Sequence, residues 1–257
     1  SILPNLYNYI LEQSKNFSQE ALNRHAATMR MRGRPKVVLA RTYEEAQKLY
    51  DKYSDNTLGV ISDARFPLKS AAKAFGNEVM PEEKPKHRTD TFGREKCPDA
   101  GLQLFRYIRK NDPFVPLIIE SSESENRAKA EAEGFRFVDK NSKKMSVDLR
   151  RLMEEHMGFG DFIFRDPKTH EEIMRIHSLK ELQDNIFNIP NDSMLYHISR
   201  NHMSRWLCAR AIFPVSAFLK HVTWEKLQDV DAHRQIIFDA IVQYRHMKNI
   251  GVVAGGG

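Results

Sequence analysis

Cysteine is scarce in these 257 residues: only Cys97 and Cys208 occur, far apart and without a C-x-x-C spacing. Neither a zinc knuckle, nor a dithiol redox centre, nor a disulfide-stapled miniprotein fits that pattern. Long apolar runs are lacking as well. No stretch approaches the roughly 18 consecutive apolar residues of a membrane span, and the opening SILPNLYNYILEQ has no basic region ahead of a hydrophobic run, so neither a span nor a signal peptide is read here. A reducing cytoplasm is the expected compartment, with no membrane partner. Aromatic residues are absent from the densest basic stretch, MRMRGRPK, which carries Arg30, Arg32, Arg34 and Lys36. Single-stranded nucleic acids are held by aromatics interleaved with cations, so this stretch reads as a solvated loop feeding an apolar run.

What is present is ordinary globular material. Hydrophobic residues are 41% and charged residues 29%, which excludes wholesale disorder. At about 100–200 residues per domain, the length gives one large domain or two small ones with a real core. The net charge of +6 lies unevenly: residues 1–150 hold 27 Lys+Arg against 21 Asp+Glu, whereas residues 151–257 hold 13 of each. The neutral second half argues against nucleic acid as a partner.

Leu3, Leu6, Tyr7 and Ile10 fall at helical spacing, so residues 2–13 predict an amphipathic helix extending toward residue 27. KVVLAR at 36–41 is β-rich and predicts a strand. Thr42-Tyr43-Glu44-Glu45 then forms a capping box for a helix carrying Ala46, Leu49, Tyr50 and Tyr53. LGVISD at 58–63 reads as a buried strand ending in Asp63, with Pro67 closing the turn, and residues 68–100 lose periodicity as a long exposed loop. From Gly101 a helix returns and ends before Asn111-Asp112-Pro113. PLII at 116–119 is the next strand, 124–132 a helix stopped at Gly134, 135–139 a strand and 147–157 a helix. Strands alternating with helices predict a parallel sheet covered on both faces, with ligands at the carboxyl ends of its strands. Beyond Gly158-Phe159-Gly160 the strand signal fades. A capping box at Ser178-Leu179-Lys180-Glu181 and helices over 192–212, 215–221, 223–229 and 232–248 are expected there, separated by Pro190, Pro214 and a Thr223 cap.

Three strand ends each deliver a polar group: Asp63, Ser121 and Lys140. A carboxylate can attack a phosphoryl group, an ammonium can neutralise the added charge, and a hydroxyl can donate to a phosphoryl oxygen. Singly they read as a cap, a turn former and a solvated charge; their joint placement points to phosphoryl chemistry. Glu120, Glu123 and Glu125 cluster beside Ser121, which admits a cation site, but they read first as the solvated, acidic start of a helix. YHISRNH at 196–202 places His197 and His202 five apart, not at the i, i+4 spacing of zinc ligands on one helix face. Hydrogen bonding between helices or packing against Trp206 is expected for them.

GVISDARFP, DAGLQLFRYIRKNDPFVPLIIESS and AEGFRFVDKNSK together resemble the receiver domain of bacterial two-component response regulators, over residues 2–157. The resemblance implies a flavodoxin-like α/β fold and assigns roles. Asp63, with Pro67 four residues on, becomes the phosphoacceptor and a Mg²⁺ ligand; Ser121 and Lys140 become its hydroxyl and cationic partners; Phe137, three residues before the lysine, becomes the switch aromatic. Phe66 stands where Met is commoner, Asn141 where Pro is usual, and Phe137 lacks the hydroxyl of the more usual Tyr. Two departures are larger. Receiver domains begin with a strand ending in an acidic pair that joins the phosphoacceptor in holding Mg²⁺. This chain opens in what resembles the first helix, so its sheet is expected to lack the first strand, the middle one of the 2-1-3-4-5 order. It then reads as a fragment of a longer protein, cut at its start and at Gly255-Gly256-Gly257; the alternative is that Gly251-Val252-Val253-Ala254 fills the gap. The second departure is the insertion at 68–100, which is expected to overhang the phosphorylation site.

MRMRGRPKVVLARTYEEA, DPFVPLI, GFGDFIFRDP and YHISRNHMSRWLCARAIFP carry a closer resemblance, to the N-terminal regulatory region of bacterial phosphoenolpyruvate synthase/pyruvate phosphate dikinase-related proteins. It implies a receiver-like domain at 1–157 and a helical linker or output domain at 158–257, ahead of a catalytic region. The chain has no phosphate-cradling Gly-rich loop and no phosphohistidine motif, so alone it is not expected to be an enzyme. The implied partners are a histidine kinase or small phosphodonor and the catalytic domain of the same longer polypeptide. Three alternatives stand: a DNA-binding response regulator with a recognition helix in the second half, a non-phosphorylated pseudo-receiver serving as a docking platform, and a helical half that forms part of a phosphotransfer site.

Overall fold

Thr42 caps the first helix of the sheet unit. Its hydroxyl accepts from Glu45 N at 3.2 Å, the expected cap, while the Glu45 carboxylate accepts from Arg41 N at 2.8 Å, one residue ahead of the N-cap N–H that a capping box uses. The structure, a computed structural model, describes residues 3–19, 28, 31–69 and 95–253. Its elements are α1 (Leu3–Gln19), α2 (Tyr43–Tyr53), β1 (Val60–Asp63), α3 (Ala100–Asn111), β2 (Leu117–Ser121), α4 (Ser124–Ala132), β3 (Arg136–Asp139) and α5 (Met145–His156). There follow β4 (Phe162–Arg165), β5 (Glu172–Ile176), α6 (Leu179–Asn185), α7 (Asn191–Ser199), α8 (His202–Ala209), α9 (Phe213–His221) and α10 (Val230–Val253). Most of the expected loop at 68–100, the continuation of the first helix past residue 19, and the stretch 254–257 lie outside the described residues.

The chain divides into two units, one of Val37–Asp148 and one of Ser1–Lys36 with Leu149–Gly257. In the first, β1, β2 and β3 form a parallel sheet in that order. Asp63 pairs with Glu120 and Glu120 with Val138, while Ile119 pairs with Phe137. Parallel neighbours need crossovers, and α3 and α4 supply them. All five residues of β2 are buried, as befits a strand hydrogen-bonded on both sides and covered on both faces. The core beside the sheet gathers Leu102, Phe105 and Ile108 of α3 against Leu117 and Ile119, with Phe105 and Phe135 meeting edge-on at 5.3 Å.

The sheet is smaller than the sequence suggests, because residues 36–40 form no strand and Arg41 is a bend. Val38 and Leu39 are 58% and 53% exposed, with no ladder partner among the described residues. β-propensity alone does not hold a strand that has no neighbour to pair with.

The second unit is mostly helical but opens with an antiparallel hairpin, β4–β5, that the fading strand signal hides. Phe162, Phe164 and Ile176 point into the core while Asp166 turns the chain, its Oδ1 accepting from Lys168 N at 2.7 Å and Thr169 N at 2.9 Å. Four further expectations are corrected here. The helix expected over 192–212 is two helices, broken at Asn201, which adopts a left-handed φ of 57°. Residues 223–229 form a turn rather than a helix, with the Thr223 carbonyl accepting from Lys226 N and Leu227 N. Gly251 to Val253 lie inside helix α10, so they do not complete the sheet as a strand. Finally, the division falls near 148 rather than 157, and the first helix belongs to the second unit. There Tyr9 donates to Glu154 at 3.2 Å and packs on Phe159, while the Arg210 guanidinium stacks 4.2 Å from the Phe17 ring. Its apolar stripe was readable in the sequence; the surface it covers was not.

Two buried guanidiniums pin the helical unit. Arg210 donates to the carbonyls of Gly158 at 2.6 Å and Gly160 at 2.9 Å. Arg234 of α10 donates to those of Ile186 and Ile189 and to the Asn191 side chain, fastening the α6–α7 joint. The fork of five donors lets one arginine satisfy several carbonyls left over at helix ends.

Candidate functional site

The carboxyl ends of the three parallel strands bring Asp63, Ser121 and Lys140 to one edge of the sheet unit. Backbone bonds align them: Ala64 N donates to Glu120 O at 3.0 Å and Lys140 N to Ser121 O at 2.9 Å. Helix α3 starts directly against this edge, with Gly101 N donating to Ala64 O at 3.1 Å. A Cβ at 101 would collide with the Asp63 carbonyl oxygen and stand 2.9 Å from Ile119 Cδ1, so only glycine permits the approach.

Side chains alternate across a sheet. Asp63, Glu120 and Val138 are in register and share one face, and Lys140, two residues on, follows them. Lys140 Nζ is ion-paired with Asp63 Oδ1, with the aspartate side chain half exposed and the lysine 35% exposed. Arg65, just past β1, reaches across to Glu123 with Nη2 at 3.0 Å and Nε at 3.2 Å. Asn141 donates to Ser122 O at 3.0 Å, tying the loop after β3 to the loop after β2.

Ser121 and Phe137 belong to the other face by the same alternation. Ser121 Oγ accepts from Asn126 Nδ2 at 2.8 Å and Glu123 N at 3.1 Å, so the hydroxyl oxygen anchors the start of α4. Phe137 lies against the sheet-unit core with the Arg127 guanidinium 4.7 Å from its ring. The structure thus joins Asp63 to Lys140 directly, brings Ser121 to the same sheet edge in another hydrogen-bonding role, and leaves Phe137 in mid-strand, paired with Ile119 and packed on the core.

Glu120 is the residue that reading the sequence misplaces. It belongs to β2 rather than to a solvated helix start, is only 5% exposed, and its Oε1 has no hydrogen-bond partner among the described residues. Burial raises its pKa, the neighbouring Asp63 charge adds to the rise, and Lys140 opposes it. A lone acid inside an otherwise buried strand, LIIES, was the available signal. Glu123 and Glu125 do stand at a helix start, as the N-cap and in the first turn of α4, and Glu123 is in addition ion-paired with Arg65.

Mg²⁺ binds through one or two carboxylates and keeps several waters. Among the described residues no three His, Cys, Asp or Glu side chains converge as a metal site, but Asp63 and Glu120, paired in register on adjacent strands, offer two oxygen-donor side chains of the type that such a hydrated ion takes.

In the helical unit, His197 Nδ1 lies 2.9 Å from His202 Nδ1, and His197 Nε2 accepts from Arg165 N at 3.1 Å. Because Nε2 is an acceptor, the proton of neutral His197 sits on Nδ1 and is donated to His202. Burial, with Arg165 and Arg200 adding to it, pushes the His197 pKa down to about 3; His202 is lowered too, again chiefly by burial. This is the hydrogen-bonded outcome expected for the histidine pair. Among the described residues no helix is long and apolar enough to cross a membrane. No family model, curated protein or solved structure matches the chain.

Proposed function

We propose that the chain is a receiver-like signalling module of flavodoxin-like type, in which Asp63 accepts or mimics aspartyl phosphorylation and thereby regulates an adjacent phosphoenolpyruvate synthase/dikinase-type catalytic region. One observation carries the reading. A half-exposed carboxylate at the carboxyl end of a parallel strand is ion-paired with a lysine from the end of another strand of the same sheet. The ammonium that neutralises Asp63 also suits the extra charge of a phosphoryl group.

In this account an Asp63 oxygen attacks the phosphorus of a histidine kinase's phosphohistidine or of a small acyl phosphate. The new O–P bond forms as the P–N or P–O bond to the donor breaks, and imidazole or carboxylate leaves with the bonding pair. Lys140 then follows the phosphoryl oxygens. A bound Mg²⁺ supplies neutralisation of those oxygens. The Ser121 oxygen accepts from Asn126 and Glu123 and keeps its own O–H to donate; because its side chain leaves the sheet face opposite Asp63, turning it toward the phosphoryl group requires release of those two bonds. That release is the conformational signal, and Phe137 on the same face is positioned to repack with it.

The test is intact-mass analysis of the whole chain incubated with acetyl phosphate and Mg²⁺. The expected result is a phosphoryl adduct in the parent and none in Asp63→Asn. An adduct that persists in Asp63→Asn overturns the assignment. The engagement of Ser121 favours a second reading, a pseudo-receiver used as a docking platform, for which neither protein gains mass.

A further inference from the structure

We propose that Glu120 is the second carboxylate of a divalent-cation site whose first is Asp63. The inference deepens the receiver-like reading and rests on it for the cation's purpose, although the geometry is independent of that purpose. Asp63 and Glu120 are directly paired in adjacent parallel strands, so both side chains leave the same face at the same sheet edge. Lys140 is ion-paired there with Asp63, and Arg65 with Glu123, so neither bonds to Glu120. Glu120 sits beneath at 5% exposure with Oε1 unpartnered.

An acid that deep is costly unless something compensates it, and a packed strand interior would accommodate Val or Leu more readily. The half-exposed Asp63 offers the solvent side and Glu120 the protein side of a hydrated ion, with the torsions of the glutamate bringing Oε1 outward. Two carboxylates plus waters is the Mg²⁺ manner of binding. Lys140 competes for Asp63, so a cation entering the site displaces the ammonium from it.

Mn²⁺, titrated into the full chain and followed by the electron paramagnetic resonance of the free ion, tests this without any phosphoryl donor. The expected result is saturable binding by the parent, weakened by about tenfold or more in Glu120→Gln and in Asp63→Asn, and tightened in Lys140→Met. Glu120→Asp keeps the charge and is expected to bind more tightly than Glu120→Gln; it also serves if the amide variant fails to fold. Parental affinity in folded Glu120→Gln, or no saturable binding by the parent, overturns the proposal. The two readings fail separately. Phosphorylation of Asp63 with no effect of Glu120→Gln on Mn²⁺ removes the inference alone, and Glu120-dependent Mn²⁺ binding without an Asp63 adduct removes the receiver-like reading alone.

Discussion

At the residue scale, Gly101 decides whether helix α3 can begin where the strand ends. Its α-carbon lies so close to the Asp63 carbonyl that a single methyl group has no space. Gly101→Ala is expected to destabilise the sheet unit by about 2 kcal/mol, in the range for overpacking a tight site, and to weaken any reaction of Asp63 by shifting the strand end. Urea unfolding read alongside phosphoryl uptake checks both; unchanged stability would mean that α3 moves aside freely. His197 gives a second prediction, with a definite sign. Its folded pKa, about 3, lies below the ordinary value of 6.5, so between those values the unfolded chain binds the extra proton. The stability that neutral His197 contributes is present above pH 6.5 and is lost progressively as pH falls toward 3, on the order of 1 kcal/mol per pH unit. His197→Gln keeps an acceptor for Arg165 N, and its unfolding midpoint between pH 7 and pH 5 is expected to vary less than the parent's. Equal slopes would remove His197 as the cause.

At the scale of elements, the helix N-caps were the most legible features. Thr42 accepts from Glu45 N and Ser178 from Glu181 N, each at 3.2 Å, with the glutamate reaching back to the residue before the cap. Thr42→Ala and Ser178→Ala are each expected to cost about 1 kcal/mol, measurable as a lowered urea midpoint; no change in either would mean that the glutamate alone caps. The helices α3 and α4 and the strands β1 to β3 were also readable, because periodicity and turn residues agreed with the tertiary outcome. The strand expected at 36–41 was not realised, since strand formation depends on a neighbour that local sequence does not reveal. The β4–β5 hairpin was missed for a related reason. Only Phe162, Phe164 and Ile176 of its residues are buried, and alternation this sparse is hard to tell from the surrounding helical pattern. In the site, the register of Glu120 with Asp63 became visible only once the strands were paired.

At the scale of the whole molecule, the division into two units separates the proposed chemistry from the buried polar scaffold. Asp63, Glu120, Ser121, Phe137 and Lys140 all belong to the sheet unit, while the histidine pair and the buried Arg210 and Arg234 belong to the helical one. Acidification below pH 6.5 is therefore expected to loosen the helical unit first, a difference that amide hydrogen exchange resolves segment by segment. Earlier loss of protection in β1 to β3 would contradict it. The central claim is that Asp63 is the group that accepts a phosphoryl. It is tested most directly by treating the whole chain with acetyl phosphate and Mg²⁺, trapping any acyl phosphate with borohydride, and locating the reduced side chain by tandem mass spectrometry. The account predicts reduction at Asp63 and nowhere else. Reduction at another carboxylate, or none at all, would contradict it.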